Sequence, residues 1–185
     1  YPEWDTEITV CRAHPDFATR WDLFAHKMSQ VNGTPLVGLA ALATWLKDKD
    51  CRLGYCDPAL LERCQAEPAF TGLDLETAFD RSRVDDYQFG ITRAAGAVAE
   101  TGTVILKDTL TSSRLGALAP WIHVALLEEN HLHPDVPSAI ADLGDDPAVV
   151  WATGPSKTAD VEGILIEGVH GPGIQVCCLV TNSTH

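Results

Sequence analysis

Positive charge is scarce in this sequence: 13 lysine and arginine residues stand against 26 aspartates and glutamates, a net charge of −13. A field of that sign repels phosphate backbones, and no Lys/Arg-rich stripe offsets it, so nucleic-acid binding is not expected. The acidity serves solubility instead. Long apolar runs are also missing. The longest candidate, Pro35 to Leu46, falls short of the ~18 residues a membrane helix needs and ends in Lys47–Asp48–Lys49–Asp50. With no visible signal peptide either, a cytoplasmic location is expected.

Cofactor motifs are absent as well. The sequence has no GxGxxG fingerprint, P-loop, haem motif, GxSxG elbow or HExxH helix. No recognisable means of holding a redox cofactor is present, so we expect neither a cofactor nor independent redox activity. Six cysteines occur, at 11, 51, 56, 64, 177 and 178. Zinc and iron–sulfur sites use CxxC-type spacing so that thiolates converge on one metal, and none of these spacings matches. Cys177 and Cys178 are adjacent in an apolar run, where a strand points them to opposite faces. All six read as buried free thiols, and no metal site is expected. Glu128, Glu129, His131 and His133 cluster near a strand end, but without helical ligand spacing they read as a solvated loop.

What is present is ordinary globular material, 45% hydrophobic and 21% charged over 185 residues. That length predicts one domain over residues 1–185, with 1–50 a mainly helical N-terminal part. Such a domain buries roughly 70% of its unfolded surface and needs no disulfide staples. Phe17, Trp21, Phe24, Met28 and Val31 recur at steps of four and three, one face of an amphipathic helix. Asn32–Gly33 stops it. A strand over Thr34–Gly38, a helix over Leu39–Lys49 and a strand over Cys51–Cys56 follow. Asp57–Pro58 then opens a helix through Cys64, with aspartate as N-cap and proline at the first position. The stretch from Ala66 to Asp80 reads as a loop with a short helix. Beyond it, strands are expected at Tyr87–Thr92, Thr103–Leu106, Trp121–Leu127, Val149–Thr153 and Ile174–Val180. Ala94–Ala99 reads as a short segment of small residues. Helices are expected at Ser112–Leu118, Pro137–Leu143 and Thr158–Ile166. Strands alternating with helices indicate an α/β fold with a largely parallel sheet covered on both faces.

Three constellations could carry chemistry. Gly154–Pro155–Ser156–Lys157–Thr158–Ala159–Asp160 joins a strand to the expected helix, at what should be the carboxyl end of the sheet. It reads either as an anion site on a helix start, with Lys157 adding positive charge, or as a turn that Ser156 or Thr158 caps. Glu100–Thr101–Gly102–Thr103 offers a glycine between hydroxyls, with Glu100 a candidate acid or base; the alternative is a tight turn. His170, between Gly168 and Gly171, has a titration range suited to proton transfer, or serves as a loop hydrogen bonder. A small pocket is expected where Glu100–Thr103 approaches Gly154–Thr158, with His170 nearby.

These residues together resemble the LUD domain of the lactate-utilisation protein C (LutC/YkgG) family. The pieces that match are Gly90–Ile91–Thr92, Ala97–Val98–Ala99 with Glu100–Thr103, Ala119 to Val124, and the long segment GPSKTADVEGILIEGVHGP, Gly154 to Pro172. The resemblance implies a Rossmann-like architecture of the phosphosugar isomerase and CoA-transferase type. It also implies a role in L-lactate oxidation beside iron–sulfur protein subunits that carry the clusters, and it assigns no catalytic residue. Two functions follow as expectations. One is a non-redox subunit or accessory protein of a lactate-oxidising system, with a small-anion pocket formed by Thr101, Gly102, Thr103, Gly154, Ser156, Lys157, Thr158 and Asp160. The other is a stand-alone enzyme acting on a small phosphorylated or acyl substrate.

Overall fold

The computed structural model describes residues 16–110, 113–145, 148–158 and 166–180. Cys11 and Asp160 lie outside them. Helix α1 (Arg20–Gln30) starts at Thr19, whose hydroxyl accepts the Asp22 N–H while the Asp22 carboxylate accepts the Thr19 N–H, a reciprocal cap. Its stripe of Leu23, Phe24 and Met28 is buried. Strand β1 (Thr34–Val37), helix α2 (Leu39–Asp48), strand β2 (Leu53–Cys56) and helix α3 (Pro58–Ala66) follow as the sequence predicts. Asp57 caps α3 by accepting the Ala59 N–H, with proline at its start.

The Ala66–Asp80 stretch holds a short 3-10 turn (Pro68–Phe70) and, unexpectedly, strand β3 (Asp74–Glu76). Three residues are too few for an alternation pattern, so only pairing with β2 defines this strand. Strand β4 (Phe89–Arg93), β5 (Gly96–Val98), β6 (Thr103–Lys107), helix α4 (Arg114–Leu118) and β7 (Ile122–Glu128) come next. After them come β8 (Leu132–His133), helix α5 (Val136–Leu143), β9 (Val149–Ala152), β10 (Lys157–Thr158), β11 (Ile166–Glu167) and β12 (Ile174–Val180).

The fold is α/β. Six strands form one parallel sheet in the order β1-β12-β7-β4-β2-β3. Burial on both faces explains why its central strands read as unbroken apolar runs. On β7, Ile122, Val124 and Leu126 face α2 and α3, while Ala125 and Leu127 face α1. Cys178 and Cys177 divide between the same two layers, as adjacent strand residues must.

Two features depart from the expected pattern. Strands β5, β6, β8 and β9 leave the parallel sheet and form a second one, ordered β8-β5-β6-β9, in which β6 runs antiparallel to β5 and β9. Its inner face packs on α1 through Ala97, Val104 and Leu106, and Val98 and Ile105 on the other face meet Ala139 of α5. The expected helix over Thr158–Ile166 has strands at both ends: Lys157–Thr158 pairs antiparallel with Ile166–Glu167. The β-branched Thr158 and Ile166 suit that pairing. Residues 159–165 lie outside the described residues.

Candidate functional site

A cleft of about 260 Å³ lies beside the GPSKT segment, lined among others by Thr153, Gly154, Ser156, His170 and Gln175. A second hollow of about 400 Å³, walled by Tyr87, Trp121 and Val169, adjoins it, and His170 lines both. Gly154 follows the carboxyl end of β9, but β9 belongs to the second, mixed sheet. Relative to the parallel sheet the cleft therefore opens at the amino ends of β7 and β12, where Leu118 and Gln175 stand, and not at the expected carboxyl ends.

The carboxyl ends carry ion pairs instead. The parallel sheet reverses its direction of growth between β2 and β4, the position where open α/β sheets leave a crevice. There Arg93 Nε meets Asp57 Oδ2 at 3.1 Å and its Nη2 donates to the Leu110 carbonyl at 2.5 Å. Arg63 pairs with Glu128 alongside.

The two glycine turns meet α1. Gly102 has φ +68°, and a side chain there would put Cβ 2.3 Å from the Met28 backbone nitrogen. Gly154 has φ +76°, with a Cβ position 2.3 Å from the Val31 carbonyl oxygen. Both require glycine, for the left-handed backbone and for the close approach. A chain of hydroxyls links the turns: Thr101 Oγ1 to Thr103 Oγ1 at 2.7 Å, and Thr103 Oγ1 to Thr153 Oγ1 at 2.8 Å. Segment Glu100–Thr103 is thus brought against Thr153, the residue before Gly154, although of the two segments only Gly154, Pro155 and Ser156 line the cleft.

The remaining candidates have defined places. Glu100 accepts the Val136 N–H at 2.9 Å and so caps the start of α5. Ser156 donates its N–H to the Pro172 carbonyl and accepts the Gly168 N–H, which ties the GPSKT turn to the His170 loop. Lys157 Nζ donates to the Val31 carbonyl at 3.3 Å and lies 3.6 Å from Glu167. Thr158 sits in β10, paired with Ile166 of β11. His170 is exposed in the cleft.

Sequence reasoning missed a polar relay beneath the cleft. Thr92 on β4, His123 on β7 and Gln175 on β12 are all buried. His123 lies 2.9 Å from Thr92 Oγ1 through Nε2 and 2.9 Å from Gln175 Oε1 through Nδ1. Burial lowers the His123 pKa to about 4, against the opposing effect of the Gln175 hydrogen bond, so the ring is neutral at pH 7. The available signal was three polar residues in otherwise apolar strand runs, with Gln175 and His123 facing each other in register.

Cys51, Cys56, Cys64, Cys177 and Cys178 are buried free thiols. Burial pushes the Cys177 thiol up, and burial with the Cys64 neighbour pushes Cys178 up to about 12. Among the described residues no group of three or more His, Cys, Asp and Glu side chains could hold a metal ion. Among them, too, no helix is long and apolar enough to cross a membrane.

With this geometry in hand, similarity to other proteins is informative. Lactate utilization protein C of Oceanobacillus iheyensis is 36% identical over 91 residues, 45% of this chain and 39% of that protein. Its namesake in Deinococcus radiodurans is 29% identical over 109 residues, 55% of this chain and 51% of that one. The chain thus spans about half the length, or less, of these curated relatives. Among solved structures, a DUF162 family protein from Deinococcus radiodurans matches with a TM-score of 0.50 at 17% identity, covering 88% of this chain and 98% of that one. That likeness carries the fold. The LUD domain model matches residues 55–180, from β2 through β12, and the chain belongs to the LUD domain family.

Proposed function

We propose that this chain is a cytoplasmic, single-domain component of a lactate-utilisation system that carries no electrons itself. The observation that carries the reading is similarity to lactate utilization protein C in several bacteria, at 36% and 33% identity in two of them. Oxidising L-lactate removes two electrons, and a bound cofactor must accept them. This sequence has no dinucleotide fingerprint and no cluster-type cysteine spacing. In this reading iron–sulfur partner subunits carry the electrons, while this chain assembles the system, positions a ligand or regulates turnover. Its ligand site is the cleft between Gly154–Ser156 and His170, with Thr101–Thr103 buttressing the wall through Thr153.

The competing reading, a stand-alone enzyme on a phosphorylated or acyl substrate, drew on a helix start at Thr158. Thr158 stands in a strand paired with Ile166, so no helix start among the described residues supports that reading. The test is genetic: deleting the gene should abolish growth on L-lactate but not on pyruvate, and the intact gene should restore it. Unimpaired growth of the deletion strain on L-lactate would defeat the proposal.

A further inference from the structure

Trp121 stands just before β7 with 53% of its surface exposed, although tryptophan is on average a well-buried residue. Its place is built by the backbone around it. A Cβ on Gly168 would stand 2.3 Å from Trp121 Cζ3, and one on Gly173 would stand 2.3 Å from Cζ2. The Gly168 position is also 3.0 Å from Gly173 Cα, so the two glycines close on the indole together. Gly168 has φ +79°, which favours glycine a second time. Two bare backbone segments thus seat one ring, and its uncovered surface lines the hollow of about 400 Å³. Val84 and Val169, both exposed, wall the same hollow. Apolar groups gathered at a concavity mark a binding site where scattered ones do not. The volume falls within the roughly 300–1,000 Å³ of pockets that hold organic ligands.

The polar groups of the lining narrow what sits there. Asp85 has no hydrogen bond or ion pair among the described residues, and its neighbour Arg83 is engaged by Glu76 and Asp86. A carboxylate only accepts, so it calls for N–H or O–H donors on the ligand. The Tyr87 hydroxyl is already engaged by Glu76 at 2.7 Å and by the Asp80 N–H at 3.1 Å. The backbone N–H groups of Val169, His170 and Gly171 find no partner among the described residues. These residues line the same hollow, and their N–H groups call for an acceptor. No lysine or arginine lines it, so beside Asp85 the seated group is one without negative charge.

We propose that the hollow binds a planar nitrogen heterocycle of the guanine type. Its face lies on Trp121, its edge N–H groups meet Asp85, and its carbonyl oxygen accepts from the N–H groups of residues 169–171. Stacking on the indole supplies affinity, and the donors and acceptor of the ring edge supply selectivity. The site goes beyond the ligand cleft of the function above, and His170 borders both. A bound ring therefore stands beside the cleft and regulates access to it.

The purified full chain, labelled with 15N, is titrated separately with guanosine, inosine and adenosine. The Trp121 indole N–H, assigned through Trp121→Phe, and the Val169 and Gly171 backbone N–H signals report occupancy. Guanosine should shift all three. Inosine, which lacks the 2-amino donor, should bind at least fivefold more weakly. Adenosine, which lacks the ring carbonyl and its neighbouring N–H, should bind more weakly still. Trp121→Ala should weaken guanosine binding at least tenfold. Asp85→Ala should erase the preference for guanosine over inosine at an unchanged melting temperature, because Asp85 is exposed and unpaired among the described residues. That variant keeps the test if Trp121→Ala does not fold. Guanosine leaving the Trp121 indole unmoved, all three nucleosides binding alike, or Asp85→Ala retaining the preference would each overturn the proposal. Growth lost on gene deletion without guanosine binding would overturn this site and leave the lactate role standing.

Discussion

His123 shows how a residue's surroundings set its chemistry. Fully enclosed between Thr92 and Gln175, it is held at a pKa of about 4, below the ordinary 6.5. The unfolded chain therefore takes up a proton at this residue between pH 6.5 and 4 while the folded chain does not. Stability from this group is fully present above the unfolded value and is lost as pH falls toward the folded one, about 3 kcal/mol in all. Urea denaturation of wild type and His123→Gln at pH 7 and pH 4.5 checks this. The variant should be the less stable at neutral pH yet lose less on acidification; parallel losses would mean that His123 does not titrate as described. Gly102→Ala makes a second residue-scale prediction. It adds left-handed strain of about 1–3 kcal/mol and drives a methyl into the Met28 backbone of α1. A stability loss of at least about 2 kcal/mol is expected, and a urea midpoint equal to wild type would contradict it. Both glycine turns were legible in the sequence as special backbone positions. What they approach was not, because a close contact with α1 is decided by packing across the chain. The relay was likewise hidden, since Thr92, His123 and Gln175 become neighbours only once β4, β7 and β12 align.

At the scale of elements, local signals served where they were complete. The stripe of Phe17, Trp21, Phe24, Met28 and Val31 with the Asn32–Gly33 stop specified α1, and Asp57–Pro58 specified the start of α3; the Thr19–Asp22 cap emerged only in the structure. Asp57 does more than cap. It is 1% exposed and also pairs with Arg93, joining the start of α3 to the end of β4. Asp57→Ala leaves the Ala59 N–H and the Arg93 guanidinium without that partner, and should cost about 3 kcal/mol. Asp57→Asn retains the cap and should cost about half as much. Thermal unfolding of the two variants tests this: a negligible loss for Asp57→Asn would show that the ion pair contributes nothing, and equal losses that the cap contributes nothing. Pairing partners, by contrast, were not legible. Apolar runs at Thr103–Lys107 and Val149–Ala152 mark strands, but their composition is the same in a parallel and an antiparallel neighbourhood. Long-range register places them in the second sheet.

For the whole molecule, the fold class and the family were readable because the motif segments are dense from Gly90 onward and in order. The position of the cleft was not, since the amino and carboxyl ends of a sheet are distinguished only by which strands enter it. The central claim is that this chain belongs to lactate utilisation without transferring electrons. It is tested most directly by purifying the chain anaerobically and measuring L-lactate-dependent dye reduction, first alone and then with the iron–sulfur partners proposed for it. The account predicts no reduction by the isolated chain and L-lactate-dependent reduction by the assembled preparation, diminished when this chain is left out. Dye reduction by the isolated chain, or an assembled activity indifferent to its presence, would contradict it.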